Sequence, residues 1–287
     1  MRPGRGRATL GSMMARRILC LFLALCLPPA AALGAGAKNA WRTLEPGLEL
    51  GAFVAPVAAR SGDSTVRVVR VDPEKWELVL LNTSAPGEGD LHTAREWCER
   101  HGCAAAINAS MYQTDYRRSV SLMRTRDHVN NSYVSKDNTV LAFDRLDGDV
   151  PPVQIIDRTC QDFPSVSKSY GTLVQSIRMI SCRGNNVWEQ QKRRYSTAAV
   201  AMDGAGRLLM IHCRSPYSTH DFIDILLGLP LDIVNAMYVE GGPESQLAVD
   251  AGGERHEFVG SFESGFLESD LNRRAWPIPN VVAVRAR

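Results

Sequence analysis

Alternation of apolar and polar positions divides the chain beyond residue 40 into short elements. The stretch from Trp41 to Val54 predicts a first strand. Val66-Arg67-Val68-Val69-Arg70-Val71 alternates except at Val69 and turns at Asp72-Pro73-Glu74-Lys75 into Trp76-Glu77-Leu78-Val79-Leu80-Leu81, a pattern that predicts a β-hairpin. Within 92–101, Ala94, Trp97, Cys98 and His101 recur at helical spacing, and Gly102 supplies a stop. An apolar strand from Cys103 to Ile107 then runs into Asn108.

The same order recurs later. Ala198 to Met202 and Leu208 to His212, joined at Asp203-Gly204-Ala205-Gly206, predict a second hairpin. A helix over 220–228, stopped by Pro230, and a buried strand over 232–239 follow. Asp203 lies 131 positions after Asp72, His220 lies 128 after His92, and Asn235 lies 127 after Asn108. These offsets predict an α+β fold with curved, mainly antiparallel or mixed sheets and flanking helices. They also predict an internal pseudo-twofold repeat of a hairpin-helix-strand unit, with halves over 65–112 and 196–240. The strand-end loops 108–112 and 239–245 would then face one cleft.

Composition changes the picture mainly at the N-terminus. The 287 residues are 45% hydrophobic and 22% charged, which suits a globular chain and excludes a disordered or multi-span one. Arg2, Arg5, Arg7, Arg16 and Arg17 precede an apolar run, 18–27, and a small-residue tract reaching Ala37. Basic flank, short apolar core and small-x-small site predict a cleaved signal peptide over 1–37, cut after Ala37 or near Ala32. Leu25 before Cys26 argues against a lipoprotein. The expected product, 38–287, is one exported domain, periplasmic or secreted, with no transmembrane segment. Without the five arginines, 28 basic residues face 31 acidic ones, so no basic footprint for nucleic acid remains. Five cysteines also remain, which allows at most two disulfides; Cys98 with Cys103 is the preferred pair, and burial as small hydrophobes is the alternative. No cysteine or histidine spacing matches a metal site, and no cofactor motif stands out. Oligomeric state is not legible.

Candidate chemistry concentrates in 238–245. Glu240 ends a buried strand and is followed by Gly241 and Gly242, so backbone amides can approach a ligand beside the acid. Glu244 is a possible second carboxylate. Asn108 and Tyr112 close the matching earlier strand, Gln175 and Arg178 interrupt an apolar strand, and Arg214 precedes the helix that begins at His220.

At these residues the chain resembles the phosphodiester glycosidase family. That family's pattern runs through an Ile-Asn-Gly-Gly-Phe-Phe-like segment, a Gln-Ser-Gly-Pro-like strand, a hairpin starting near an arginine, a helix, and a Leu-Asp-Gly-Gly-x-Ser-like segment. The counterparts here are Ile107 to Tyr112, Gln175 to Met179, Ser196 to His212, His220 to Gly228, and Val239 to Ser245. Ala109-Ser110 stand in place of two glycines, Ile177-Arg178 in place of Gly-Pro, Ser196 or Thr197 in place of the arginine, and Glu240 in place of Asp. The resemblance implies a hydrolase that cleaves the bond between a sugar's anomeric carbon and a phosphodiester. It implies Glu240 and Glu244 in catalysis and a carbohydrate or phospho-sugar substrate held by Asn108, Tyr112, Gln175, Arg178, Ser196, Arg214, His220, Gly241, Gly242 and Ser245. The competing expectation is a non-catalytic envelope protein that binds glycans or phospho-sugars with the same fold.

Overall fold

The computed structural model describes residues 40–287. The expected signal peptide therefore lies outside the described residues. The strands and helices follow in chain order: β1 (Ala40–Glu45), β2 (Leu48–Val54), β3 (Thr65–Val71), β4 (Trp76–Asn82), α1 (Ala94–His101), β5 (Ala105–Asn108), β6 (Met123–Arg124), β7 (Val129–Asn131), β8 (Thr139–Arg145), β9 (Val153–Asp157), α2 (Phe163–Val166), β10 (Tyr170–Ile180), β11 (Tyr195–Asp203), β12 (Leu208–Tyr217), α3 (Thr219–Gly228), β13 (Ile233–Gly241), β14 (Gln246–Ala251), β15 (Glu254–Val259) and β16 (Asn280–Ala286).

The strands form two sheets, and every pairing is antiparallel. The large sheet runs β1-β2-β3-β12-β11-β13-β10-β6-β7, with β8 also paired to β10 and β9 paired to β8; the small one runs β15-β14-β5-β16-β4. Val69, Val200, Met210, Met237 and Val239 of the large sheet pack between the sheets against Ile107, Leu247, Val282 and Val284 of the small one. The other face of the large sheet buries Val68, Ala199 and Ile211 under Phe222, Ile223 and Leu226 of α3. The outer face of the small sheet buries Ala106, Ala248 and Val281 under Ala94, Trp97 and Cys98 of α1. The result is an α/β/β/α stack.

This layering accounts for the broken alternation at Val69. Val68 faces α3 and Val69 faces the small sheet, so β3 is apolar on both sides. It also corrects two expectations. Residues 41–54 form a hairpin turning at Pro46-Gly47, with Gly47 at φ +83°, rather than one strand. The expected hairpin at 66–81 does not form: β3 pairs with β2 and β12, while β4 pairs with β16 in the other sheet. With both edges of β3 occupied, the turn at 72–75 carries the chain across the stack. The Asp72 amide donates to the Gly47 carbonyl and the Trp76 indole N–H to Pro46, fixing the crossing.

The second unit behaves as its pattern predicts. β11 and β12 pair directly, with Met202 opposite Leu208. Ser218 caps α3 through the Asp221 amide, and β13 lies between β11 and β10. Helix α1 carries a full capping box, Thr93 with Glu96, and ends at left-handed Gly102. The two units thus share element order but not pairing: β5 is in the small sheet, β13 in the large one. The pseudo-twofold repeat is not realised at the level of strand pairing.

The expected Cys98–Cys103 pair is also corrected. The two residues flank the α1 stop, where the Cys103 amide donates to the Cys98 carbonyl, and both thiols are free and buried, as is Cys213. The disulfide joins Cys160 to Cys182, linking the segment after β9 to the one after β10. No helix among the described residues is long and apolar enough to cross a membrane. Alkylation of the denatured, unreduced protein should label Cys98, Cys103 and Cys213 and spare Cys160 and Cys182. Labelling of all five, read by peptide mapping, would contradict the bridge.

Candidate active site

The C-terminal end of β13 carries the candidate chemistry, and its register decides where Glu240 points. Ala199 lies opposite Tyr238 and Ala198 opposite Glu240, so Val239 is an extra residue in β13. Without that bulge Glu240 would share a face with Tyr238; with it, Glu240 takes the face of Ala198 and Val239, toward the gap between the sheets. β13 then passes into the short 3-10 turn Gly242–Glu244.

The two glycines are needed for close approach. A Cβ at Gly241 would stand 2.0 Å from the Tyr238 hydroxyl, and one at Gly242, whose φ is +66°, would stand 2.6 Å from a Glu263 carboxylate oxygen. Tyr238 and Glu263 therefore reach the turn because no side chain stands in the way. Ser245 closes the turn by donating its hydroxyl to the Gly242 carbonyl. Asn108, at the end of β5, docks it to the small sheet by donating to the Glu244 carbonyl at 3.0 Å and accepting from the Gln246 amide at 2.7 Å.

Three carboxyl groups and two tyrosines interact here. Glu240 is only 8% exposed, and burial is the main reason its carboxyl is pushed up to about 8; the Gly241 amide, donating at 3.0 Å, opposes the shift, and the Glu244 and Glu263 charges add to it. Glu263 is raised by burial and then by Glu244. Burial, then the charges of Glu244 and Glu240, push the Tyr112 phenol far up. Tyr238 rises for the same reasons, with Glu240 its largest charged neighbour. The Trp188 ring lies 6.0 Å from that of Tyr238, and Tyr195 meets the Glu263 backbone in an isolated bridge. Among the described residues no arginine or lysine forms a salt bridge with Glu240, Glu244 or Glu263, and the Arg193 charge offsets only part of the rise at Glu263. A neutral Glu240 is how the fold accommodates this acid at ordinary pH.

Of the residues singled out in the sequence, the structure brings together Glu240, Glu244, Tyr112, Gly241, Gly242, Ser245 and Asn108, the last through backbone-directed bonds. The others hold the surrounding frame. Gln175 accepts from the Ser135 amide and donates to the Ser135 and Asp137 carbonyls. Arg178 pairs with the fully buried Asp157 at 2.9 Å and donates to the Thr159 hydroxyl at 2.6 Å. Burial alone would raise Asp157, but the Cys182 and Thr159 amides, the Thr159 hydroxyl and Arg178 outweigh it and hold the carboxyl below its usual value. Ser196 accepts from the Ser261 and Phe262 amides. Arg214 pairs with Asp270 and donates to the Val259, Asp270 and Asn272 carbonyls. His220 contacts the Trp188 carbonyl and Asp224. Sequence reasoning missed Glu263, Tyr238, Trp188 and Tyr195. Only Gly260 and Gly265, flanking Glu263 in an aperiodic loop, mark that acid in the sequence.

The family model described as phosphodiester glycosidase matches residues 101–285. No curated protein sequence matches the chain. Among solved structures, the chain is similar to the zebrafish N-acetylglucosamine-1-phosphodiester alpha-N-acetylglucosaminidase catalytic domain, auto-inhibited by its pro-peptide. The TM-score is 0.61 at 13% identity, over 88% of this chain and 87% of that one. A hypothetical protein from Synechocystis is similar with a TM-score of 0.57 at 14% identity, over 84% of this chain and 62% of that one. At these identities the structural likeness establishes the fold.

The raised Glu240 carboxyl makes a stability prediction. The folded state keeps its proton up to about pH 8, whereas the unfolded chain releases it near the ordinary glutamate value of 4.5. The folded protein thus binds the extra proton between these values, and stability is lost as pH rises through the window. Glu240→Gln cannot titrate, so its melting temperature relative to wild type should climb from pH 4.5 to pH 8 and level off above. A difference independent of pH would contradict a buried, protonated Glu240.

Proposed function

We propose, from the premise that this chain belongs to the phosphodiester glycosidase family, that it is an exported hydrolase cleaving the bond between a sugar's anomeric carbon and a phosphodiester on an envelope or extracellular glycan. The observation that carries the reading is the carboxyl cluster of Glu240, Glu244 and Glu263 on the glycine turn at the end of β13. Export is supported by the basic and apolar N-terminal pattern and by a disulfide, which suits an oxidising compartment.

Cleavage at an anomeric carbon passes through an oxocarbenium-like state and is served by two carboxyl groups in unlike protonation states. A protonated Glu240 lets a phosphodiester approach without the repulsion of a second full charge, and it can donate to the departing phosphate oxygen. Glu244, half-exposed at the turn, stabilises positive charge on the sugar or takes a proton from water. This reverses the role that position alone gives Glu240, which as a bare carboxylate would repel the substrate. Glu263 acts through its charge, helping to keep the Glu240 proton in place.

One observation favours the alternative of a non-catalytic glycan or phospho-sugar binding protein: Arg178 and Arg214, the cations expected at the phosphate, are paired with Asp157 and Asp270. A panel of sugar-1-phosphodiesters decides between them. Turnover by wild type with loss of about 10²-fold or more in Glu240→Gln, at unchanged melting behaviour near pH 5, is expected for the hydrolase. Binding without turnover would select the alternative. Activity should fall as pH rises through about 8, and Glu263→Gln should move that alkaline limb to lower pH because one charge that raises Glu240 is gone. An unmoved limb would remove Glu263 from this role.

A further inference from the structure

Among the described residues, the groups that face Glu240 include no cation. Glu244 follows on the same turn, and Glu263 reaches it from the loop after β15. Tyr112, beyond the end of β5, and Tyr238, on β13 itself, add two phenols. The Gly241 amide donates to Glu240 at 3.0 Å, and the Tyr238 hydroxyl lies where a side chain at Gly241 would stand, so both groups meet at one residue. Thr197, opposite Gly241 in the β11–β13 register, brings a hydroxyl rather than a charge. The arginines of the surrounding frame are committed elsewhere. Arg178 pairs with Asp157, and Arg214 pairs with Asp270 and donates to three backbone carbonyls. Arg193 is exposed, and its charge acts on Glu263 but not on Glu240.

This inventory bears on which leaving group the cluster serves. A bound phosphodiester brings a full negative charge toward Glu244 and Glu263, with no guanidinium or ammonium placed to answer it, although arginine is the fitting partner for phosphate. An uncharged glycoside brings no such charge, and the phenols offer its hydroxyl groups neutral hydrogen-bond partners. The demand for a proton points the same way. A phosphate departs as a stable anion, whereas an alcohol is a poor leaving group and departs only as its oxygen is protonated. The cluster supplies one buried carboxyl that keeps its proton and one half-buried carboxyl, Glu244, placed to act as a base. A proton donor of this kind exceeds what a phosphate leaving group requires.

We propose that the cluster has a further activity, hydrolysis of uncharged O-glycosides, in which the leaving group is an alcohol. In this step a water oxygen bonds to the anomeric carbon and its proton passes to Glu244. The bond from that carbon to the alcohol oxygen breaks, and the Glu240 proton passes to the departing oxygen. Solvent returns a proton from Glu244 to Glu240, so one water is consumed and sugar and alcohol are released. The activity rests on the hydrolase reading of the same carboxyl groups, and the test separates it from the phosphodiester substrate.

Matched pairs supply that test: methyl glycosides and methyl 1-phosphodiesters of common hexoses and N-acetylhexosamines, both anomers, assayed below the value of about 8 at which Glu240 gives up its proton. Wild type is expected to cleave a methyl glycoside with a KM about tenfold below that of the phosphodiester of the same sugar. Raising salt from about 0.02 to about 0.5 M should lower the phosphodiester KM and leave the glycoside KM unchanged. Glu263→Gln, which removes one repelling charge, should narrow the gap in the same way. Glu240→Gln should reduce kcat for the methyl glycoside about tenfold more than for the phosphodiester, because only the alcohol needs the proton to leave. Thermal melts check folding of both variants. Phosphodiester turnover without cleavage of the matched glycoside would overturn this inference and leave the phosphodiester reading intact, and so would a KM gap that neither salt nor Glu263→Gln narrows. Cleavage of methyl glycosides alone would keep the inference and overturn the phosphodiester substrate. Cleavage of neither would overturn both.

Discussion

Burial of one carboxyl group without a cation is the constraint on which the site depends. Placing an ionised Glu240 at the end of β13 would cost several kcal/mol, because no arginine or lysine answers it and Glu244 and Glu263 add to the penalty. The fold avoids that cost by keeping the proton. It follows that the surrounding parts serve to define one protonated acid: the Val239 bulge turns Glu240 inward, and the glycines admit Tyr238 and Glu263 beside the turn. The Gly241 amide orients one oxygen. Proton, aim and neighbours are set by the same few residues.

The frame around this turn uses polar side chains whose bonds end on backbone. Asn108 behaves as a piece of strand, pairing with the Glu244 carbonyl and Gln246 amide across a break in regular structure. Gln175 does the same for the 135–137 segment, and Ser196 and Arg214 for the loop after β15. Buried amides and guanidinium groups tied to backbone at several atoms are rigid, and a rigid frame holds catalytic groups to a fraction of an ångström.

Much of this was legible in the sequence, for identifiable reasons. Helices α1 and α3, the β11–β12 hairpin and the buried strand before Glu240 carry local signals: caps, a glycine stop, a two-strand turn and an apolar run. What was not legible depends on long-range pairing. Nothing local distinguishes the turn at 72–75, which crosses between sheets, from the turn at 203–206, which closes a hairpin; the difference is that β2 and β12 already occupy both edges of β3. The Cys160–Cys182 bridge joins positions 22 apart, and Glu263 arrives from an irregular loop, so neither has a periodicity to betray it. The direction of a side chain such as Arg178 is equally hidden, because its partner Asp157 is itself placed by the sheet.

The claim that a single buried acid organises the site is tested most directly by watching that acid titrate. Glutamate labelled with 13C at the side-chain carboxyl carbon, assigned by difference against Glu240→Gln, reports its protonation in the intact protein without substrate. The account predicts one carboxyl resonance that moves near pH 8 and is absent from the variant. A Glu240 resonance that titrates in the ordinary range near 4.5 would contradict it.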